Sequence, residues 1–387
     1  MRDHSLLVVG FGQSNADIHD AGPRIAAPAL DDPRLVVPND GGGFRGAPVR
    51  PIDRITGFAP FAGHERKAMS LLGAVGARVL HDMGPDAPGR VIIRSAAKGG
   101  RRFQPTAQND QPVEGILFGP GDGLSEHFER FLMTIARICE VAATDGRPVA
   151  AICPVFVHGE SDRSLPRAVY RDLTETMLDW TEHVLAPLRI PVQWFAVQAA
   201  GTGQGGNGNA WPNRDAIRDL AASRSDLTLA AAAYPYALHD RIHFSATGKA
   251  LLGETVGRAM AGWLRGQEPA LPRLRRILPE GDRLRLEFDS DAPLVIDPAP
   301  ACGHHGFSLD QGRIRGVWAR GREVVLELDQ PAERVAGIAY AWASEAQSPD
   351  ARPDHPVGGG ALRTARAAPS ILVPGETLHD WVPGFAL

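Results

Sequence analysis

Leu6-Leu7-Val8-Val9-Gly10-Phe11, running straight into Gly12-Gln13-Ser14-Asn15-Ala16-Asp17, decides the architecture. The first six residues are apolar without the alternation of a strand that faces water on one side. A strand covered on both faces, as in a parallel sheet between helix layers, reads this way. The run is too short for the apolar core of a signal peptide and gives way at once to a polar, glycine-led turn, so it reads as a core strand and not as a leader. The cytoplasm is therefore the default expectation for compartment, with a trimmed leader or another export route left open.

Working outward, further apolar runs follow at Arg90–Arg94, Val149–Val157, Pro191–Gln198 and, more weakly, Leu227–Ala233. Helical patterns lie between them at His64–Met83, Leu124–Thr144 and Ala168–Leu188, and a last helix runs from Ala246 to about Gly266. Strand and helix in alternation predict a doubly wound α/β fold, a three-layer α/β/α sandwich on a parallel, flavodoxin-like sheet. Pro154 interrupts the third strand and predicts an edge or a bulge there, since proline removes a ladder hydrogen bond. Arg34–Gly63, rich in Gly and Pro, reads as a long loop, a functional lid or a disordered segment. Glu268–Pro272 reads as a linker. Beyond it Arg283–Phe288 and Val324–Leu328 alternate with period two, and Val335–Trp342 is a further strand. The expected domains are an α/β domain at 1–267 and a small all-β domain at 273–387.

Composition narrows the function. With 43% hydrophobic and 22% charged residues the 387-residue chain is no disordered protein. Its net charge of −4 gives no reason to expect nucleic acid or an anionic membrane as partner, and no apolar run is long enough to span a bilayer. Cys139, Cys153 and Cys302 lie too far apart for a disulfide framework or a CxxC site. Gly10-x-Gly12 lacks the third glycine of a dinucleotide fingerprint, Asn15 standing in its place. Cys302-Gly303-His304-His305 has no second ligand pair at metal-site spacing and reads as a loop.

Open α/β sheets bind ligands beyond the carboxyl ends of their strands. There this chain collects Gly12-Gln13-Ser14-Asn15, Lys98-Gly99-Gly100, His158-Gly159-Glu160-Ser161-Asp162 and Asp240-Arg241-Ile242-His243. Gln198 ends the fourth strand and is a candidate to line the same pocket, while Arg241 has no assignable role. A serine hydroxyl becomes a nucleophile when an imidazole removes its proton, and the imidazole needs a carboxylate to fix its tautomer. Asp240 and His243, three residues apart, can meet across a turn. Ser14 sits where backbone N–H groups turn outward and can face an oxyanion. Taken singly, Ser14 fits an N-cap equally well, and Asp240 with His243 fits a capped surface loop.

In this order these motifs resemble the SGNH hydrolases, and within them the carbohydrate-esterase branch of sialate O-acetylesterases and acetyl-xylan esterases. The resemblance spans roughly residues 5–265, and the tail is loosely similar to the accessory β domain of some sialate O-acetylesterase relatives. It implies Ser14 as nucleophile, His243 as general base and acid, and Asp240 as its partner, with no metal or organic cofactor. The backbone N–H groups of Ser14 and of Gly99 or Gly100 would form the oxyanion hole. A third donor is expected in the next block, where the branch usually has Gln and this chain has His158. Either His158 donates through a fixed N–H or that donor is missing, at a cost of roughly 10²–10³ in rate in a comparable hydrolase. Gln13, Asn15, Glu160 and Asp162 would orient these groups by hydrogen bonds. The implied substrate is an acetylated carbohydrate, polysaccharide or sialic-acid-like. A lipid or thioester hydrolase, or a glycan-binding protein that kept the scaffold, are the alternatives.

Overall fold

Both faces of the first strand are covered, and its residues divide between two cores. Leu6 and Val8 point into one, and Leu7, Val9 and Phe11 into the other. This is the period-two geometry of a strand between two helix layers. The computed structural model describes residues 2–16, 23–43, 51–62, 68–108, 110–121, 123–200, 212–240, 242–268, 271–299, 302–342 and 359–387. Along the chain they form β1 (Ser5–Gly12), β2 (Leu35–Pro38), β3 (Phe58–Pro60), α1 (Leu71–Met83), β4 (Arg90–Ser95), a small hairpin of β5 (Thr106–Gln108) and β6 (Gln111–Val113), and α2 (Glu126–Thr144). Then follow β7 (Val149–Val157), α3 (Arg167–Leu185), β8 (Trp194–Gln198), α4 (Pro212–Ser223), β9 (Leu227–Ala232) and α5 (Ala246–Leu264).

The large sheet has the order β3-β2-β4-β1-β7-β8-β9, parallel except where β3 joins β2. α1 and α5 cover one face, and α2, α3 and α4 cover the other. The α/β class expected from the alternation is what the chain adopts. The five strands read from the sequence fall in the flavodoxin-like order 2-1-3-4-5. Its reversal point, between β1 and β7, is where such sheets bind ligands.

Several boundaries differ from expectation. α1 starts at Leu71, not at His64, because Ser70 caps it: its Oγ accepts from Gly73 N at 3.2 Å. Residues 63–67 lie outside the described residues. The third helix stops at Leu185, and a short 3₁₀ turn over Ala186–Leu188 carries Pro187. β8 begins at Trp194, and only Ile338–Tyr340 of the Val335–Trp342 stretch is strand. Pro154 sits in a central strand and not at an edge. Its missing N–H falls on the side of β8, and the ladder is interrupted there, between an isolated bridge at Ile152–Val192 and continuous pairing from Val155–Phe195 in the same register. The Arg34–Gly63 stretch is not loop throughout, since β2 and β3 extend the sheet on one side. Residues 44–50 lie outside the described set.

After α5 the chain is all β: β10 (Arg273–Glu280), β11 (Arg283–Asp289), β12 (Leu294–Ile296), β13 (Phe307–Leu309), β14 (Ile314–Arg320), β15 (Glu323–Leu328), β16 (Ile338–Tyr340), β17 (Leu362–Pro369), β18 (Thr377–Trp381) and β19 (Phe385–Ala386). They form antiparallel sheets ordered β10-β11-β15-β14, β12-β17-β18 and β13-β16-β19. Leu284, Leu286 and Phe288 alternate inward against Val324, Leu326 and Leu328, as period two requires. This core reaches across to Ala232 and Tyr234 at the end of β9. Cys302–His305 forms a short turn, as the spacing suggested. Among the described residues no helix is long and apolar enough to cross a membrane.

Candidate active site

The carboxyl ends of β1, β4, β7 and β9 deliver the polar residues to one place. At the end of β1, Gly12 has φ +124°, and a Cβ there would lie 2.1 Å from Val157 O. Only glycine lets the two strand ends stay this close. Gln13 N donates to Val157 O at 2.9 Å, and Ser14 opens a 3₁₀ turn over Ser14–Ala16. The chain after β4 stays alongside: Ala96 N donates to Gly10 O and Lys98 N to Gly12 O. Gly99 therefore passes Ser14, where a Cβ would sit 3.7 Å from Ser14 Cβ.

The turn after β9 is closed by a bridge between Leu238 and Phe244 and by His239 N donating to His243 O at 2.9 Å. Asp240 Oδ1 accepts from Ile242 N and His243 N, both at 2.6 Å. Its Oδ2 lies 2.7 Å from His243 Nδ1, and His243 Nε2 lies 2.9 Å from Ser14 Oγ. Partial desolvation works against ionisation of Asp240, but these donors outweigh it and hold the carboxyl at about 2. An ionised carboxylate only accepts, which assigns the ring proton to Nδ1 and leaves Nε2 as acceptor for the serine hydroxyl.

Asn15 and Gln13 tie these turns together. Asn15 Nδ2 donates to Glu160 Oε1 at 2.8 Å and to Ile242 O at 3.1 Å, and its Oδ1 accepts from Phe244 N at 3.3 Å. Gln13 Nε2 donates to Arg101 O at 2.7 Å, while its Oε1 accepts from Gly159 N and Ser161 N. Asp162 Oδ2 accepts from Phe103 N at 2.8 Å, and burial pushes its carboxyl up to about 6. Burial also raises Glu160, whose Oε2 is out of reach of solvent and has no hydrogen-bond partner among the described residues.

His158 does not take the place expected of it. Its ring is enclosed by Phe103, Phe156 and Tyr170, and burial depresses its pKa to about 3, so it is neutral. Nε2 lies 3.2 Å from Arg101 O, which can only accept, and Nδ1 lies 2.9 Å from Tyr170 Oη. Its single N–H is thus committed to a carbonyl, and none remains for an oxyanion. Gln198 does not line a pocket either. It is fully buried, donating to Arg214 O and Gly384 O and accepting from Gly384 N. Gly100, with φ +71°, has open space around it, and Arg241 lies outside the described residues. Tyr170, the Arg101 carbonyl and Asn213, whose Nδ2 donates to Gly159 O at 2.7 Å, were missed. Tyr170 and Asn213 come from helices distant in sequence and carry no local signal, whereas Arg101 adjoins Gly100.

His239, Asp240 and His243 present ligand atoms within 4.8 Å of one another, the one group among the described residues with the makings of a cation site. It is the same turn that faces Ser14, and a cation there would compete with the His243–Asp240 hydrogen bond.

No family model matches the sequence, and no curated protein is similar to it. Solved structures are. A carbohydrate acetylesterase from Xanthomonas citri matches with a TM-score of 0.59 at 16% identity, over 98% of this chain and 80% of that one. NanS matches with a TM-score of 0.47 at 14% identity, over 68% of this chain and 99% of that one. A protein from Arabidopsis thaliana matches at 0.45 and 15%, over 66% and 97%. At 16% identity the first shows a shared fold, and it extends across both the α/β part and the β tail.

Proposed function

We propose that the protein is a serine esterase that removes O-acetyl groups from carbohydrate. The observation that carries this is the unbroken line from Ser14 Oγ to His243 Nε2 (2.9 Å) and from His243 Nδ1 to Asp240 Oδ2 (2.7 Å). The fold shared with a carbohydrate acetylesterase supports it and favours acetylated sugar as substrate.

In this reading His243 Nε2 takes the hydroxyl proton as Ser14 Oγ attacks the acetyl carbonyl. Asp240 stabilises the imidazolium that forms. The tetrahedral oxyanion is met by the backbone N–H of Ser14 and by Gly99 or Gly100, of which Gly99 is nearer the serine. Collapse breaks the ester bond, and the sugar oxygen leaves with the proton from His243. Water, deprotonated in turn by Nε2, then cleaves the acyl-enzyme and releases acetate. Lacking a donor from His158, the hole has two backbone donors at its centre, and Gln13, Asn15, Glu160 and Asp162 hold the surrounding turns.

The test is turnover of an aryl acetate, with release of acetate from acetylated polysaccharides and acetylated sialic acid measured alongside. Ser14→Ala should lose at least about 10³-fold in rate, with a sharp preference for acetyl over longer acyl chains in the native protein. Undiminished turnover by the Ala variant would refute the nucleophile. A preference for long chains would point to lipid substrates, and glycan binding without turnover to a binding protein on this scaffold.

A further inference from the structure

The turns that follow β4 and β7 form a lip beside Ser14, the first passing it at Gly99 and the second tied to Gln13, and they carry four cations: Lys98, Arg101, Arg102 and Arg163. Lys98, Arg102 and Arg163 are exposed, and Arg101 is half-buried. Elsewhere in the α/β part several arginines are held by carboxylates, as Arg90 is by Asp145, Arg94 by Asp40 and Arg224 by Asp226. Among the described residues none of the four lip cations has such a partner. Arg101 Nη1 reaches only the backbone O of Glu114, at 3.4 Å, and Arg163 Nη1 only that of Glu160, at 3.5 Å. The carboxylates beneath, Glu160 and Asp162, turn inward to Asn15 Nδ2 and Phe103 N. The field of these cations is felt nearby: burial chiefly, and then the charge of Lys98, holds the His127 imidazole at about 4.

Two shallow depressions meet on this lip. One of about 330 Å³ is lined by Gly100, Arg102, Ser161, Arg163 and Ser164. The other, of about 850 Å³, runs from Lys98 and Gly99 past Arg102 to Thr106 and Val113. Each is within the usual size of ligand clefts, and the larger gives room for linked sugar rings next to Gly99, which passes Ser14. An unpaired cluster of one sign is unexpected on a chain of net charge −4. It would draw anions to the cleft, and arginine forks match carboxylate and sulfate groups in particular.

We propose that this lip is a subsite for an acidic oligosaccharide, whose anionic units lie over Lys98, Arg101, Arg102 and Arg163 while a neighbouring acetyl group sits at Ser14. This rests on the esterase reading and narrows its substrate. A neutral glycan laid across the lip would strip water from four cations and return no charge to them.

The experiment compares kcat/KM for an acetylated oligouronide, an acetylated sulfated oligosaccharide and a neutral acetylated oligosaccharide, with an aryl acetate as control. At least one anionic substrate should exceed the neutral one by about tenfold at low salt, and the advantage should shrink as salt is added. Whichever anionic substrate leads identifies carboxylate or sulfate as the recognised group. In the double variant Arg102→Gln/Arg163→Gln the anionic-to-neutral ratio should fall by about tenfold, with the change carried by KM. Both side chains are exposed, so the variant should fold. Equal use of all three glycans by a protein that turns over aryl acetate through Ser14 would overturn the subsite, as would an unchanged ratio in the double variant. Should no acetate be turned over at all, the esterase reading fails. The subsite is then judged by titrating unacetylated oligouronide and sulfated oligosaccharide: salt-sensitive binding weakened in the double variant upholds it, and its absence overturns it.

Discussion

Asp162 makes stability depend on pH. Its carboxylate is buried beside neutral His158 and accepts from Phe103 N, and burial raises its pKa to about 6, above the ordinary unfolded value near 3.9. Between those values the folded chain holds a proton that the unfolded chain has lost, so stability falls as pH rises from about 4 to about 6 and then levels. Burial pushes Glu160 the same way and adds to the fall. Asp162→Asn keeps an acceptor for Phe103 N and removes the charge. In urea melts it should lessen that fall, gaining about 1–3 kcal/mol relative to the native protein at neutral pH and little at pH 4. An identical pH dependence in the variant would refute this account. At this scale the meeting of Ser14, His243 and Asp240 was legible from the order of their motifs and the family that order resembles, since each residue type alone also fits a cap or a surface loop. His158 was not. Its position before Gly159-Glu160 suggested a donor, but the Tyr170 hydroxyl and Arg101 carbonyl that claim its nitrogens arrive from segments no local spacing connects to it.

The strand ends show what a glycine contributes when two elements converge. Gly12 lets β1 finish against β7, with its φ in a region L side chains rarely adopt and Val157 O where a Cβ would be. Gly12→Ala must therefore force β1 and β7 apart or give up the Gln13 N to Val157 O bond. Either response displaces Ser14 from the 2.9 Å contact with His243. The variant should lose about 3 kcal/mol or more and, where it still folds, about 10²-fold or more in aryl-acetate turnover. A stable, fully active Ala variant would show that the turn tolerates what this geometry forbids. The existence and order of elements could be read from the apolar runs, while their ends could not. α1 begins where Ser70 can cap it, a choice fixed by which serine reaches Gly73 N in the folded chain and not by hydrophobic periodicity. Pro154 was misplaced for a related reason. The strand stays central by giving up the one bond its missing N–H would make to β8, while the pairing resumes in register at Val155–Phe195, and an apolar run does not show that such a gap is tolerated.

Across the molecule, the α/β part and the β tail share buried polar contacts that neither could satisfy alone. Gln198 is held between Arg214 O and both backbone groups of Gly384, and Arg214 Nη1 donates to Ala341 O at 2.7 Å. Tyr234 Oη meets Tyr340 Oη at 3.0 Å and donates to Val382 O at 2.9 Å. Glu254, fully buried on α5, accepts from Ile371 N at 2.7 Å and also bonds Ser370, and Leu372 packs into the core beneath α1 and α5. The change of pattern at 268–272 signalled a boundary between 1–267 and 273–387, but it carried no hint of these contacts, because Gln198 and Gly384 are far apart in sequence and ordinary in type. We propose that the two are domains by architecture and one unit by stability. Separating them would strand buried donors and acceptors at a cost of about 1–3 kcal/mol each. Urea unfolding followed by tryptophan fluorescence and by far-ultraviolet dichroism should therefore give coincident single transitions. Gln198→Ala, which takes from Gly384 N and O the side-chain amide that bonds both, should lower the midpoint of both probes together, by the equivalent of about 2–4 kcal/mol. Two resolved transitions, with only one moved by the substitution, would mean that the tail stands independently of the domain it covers.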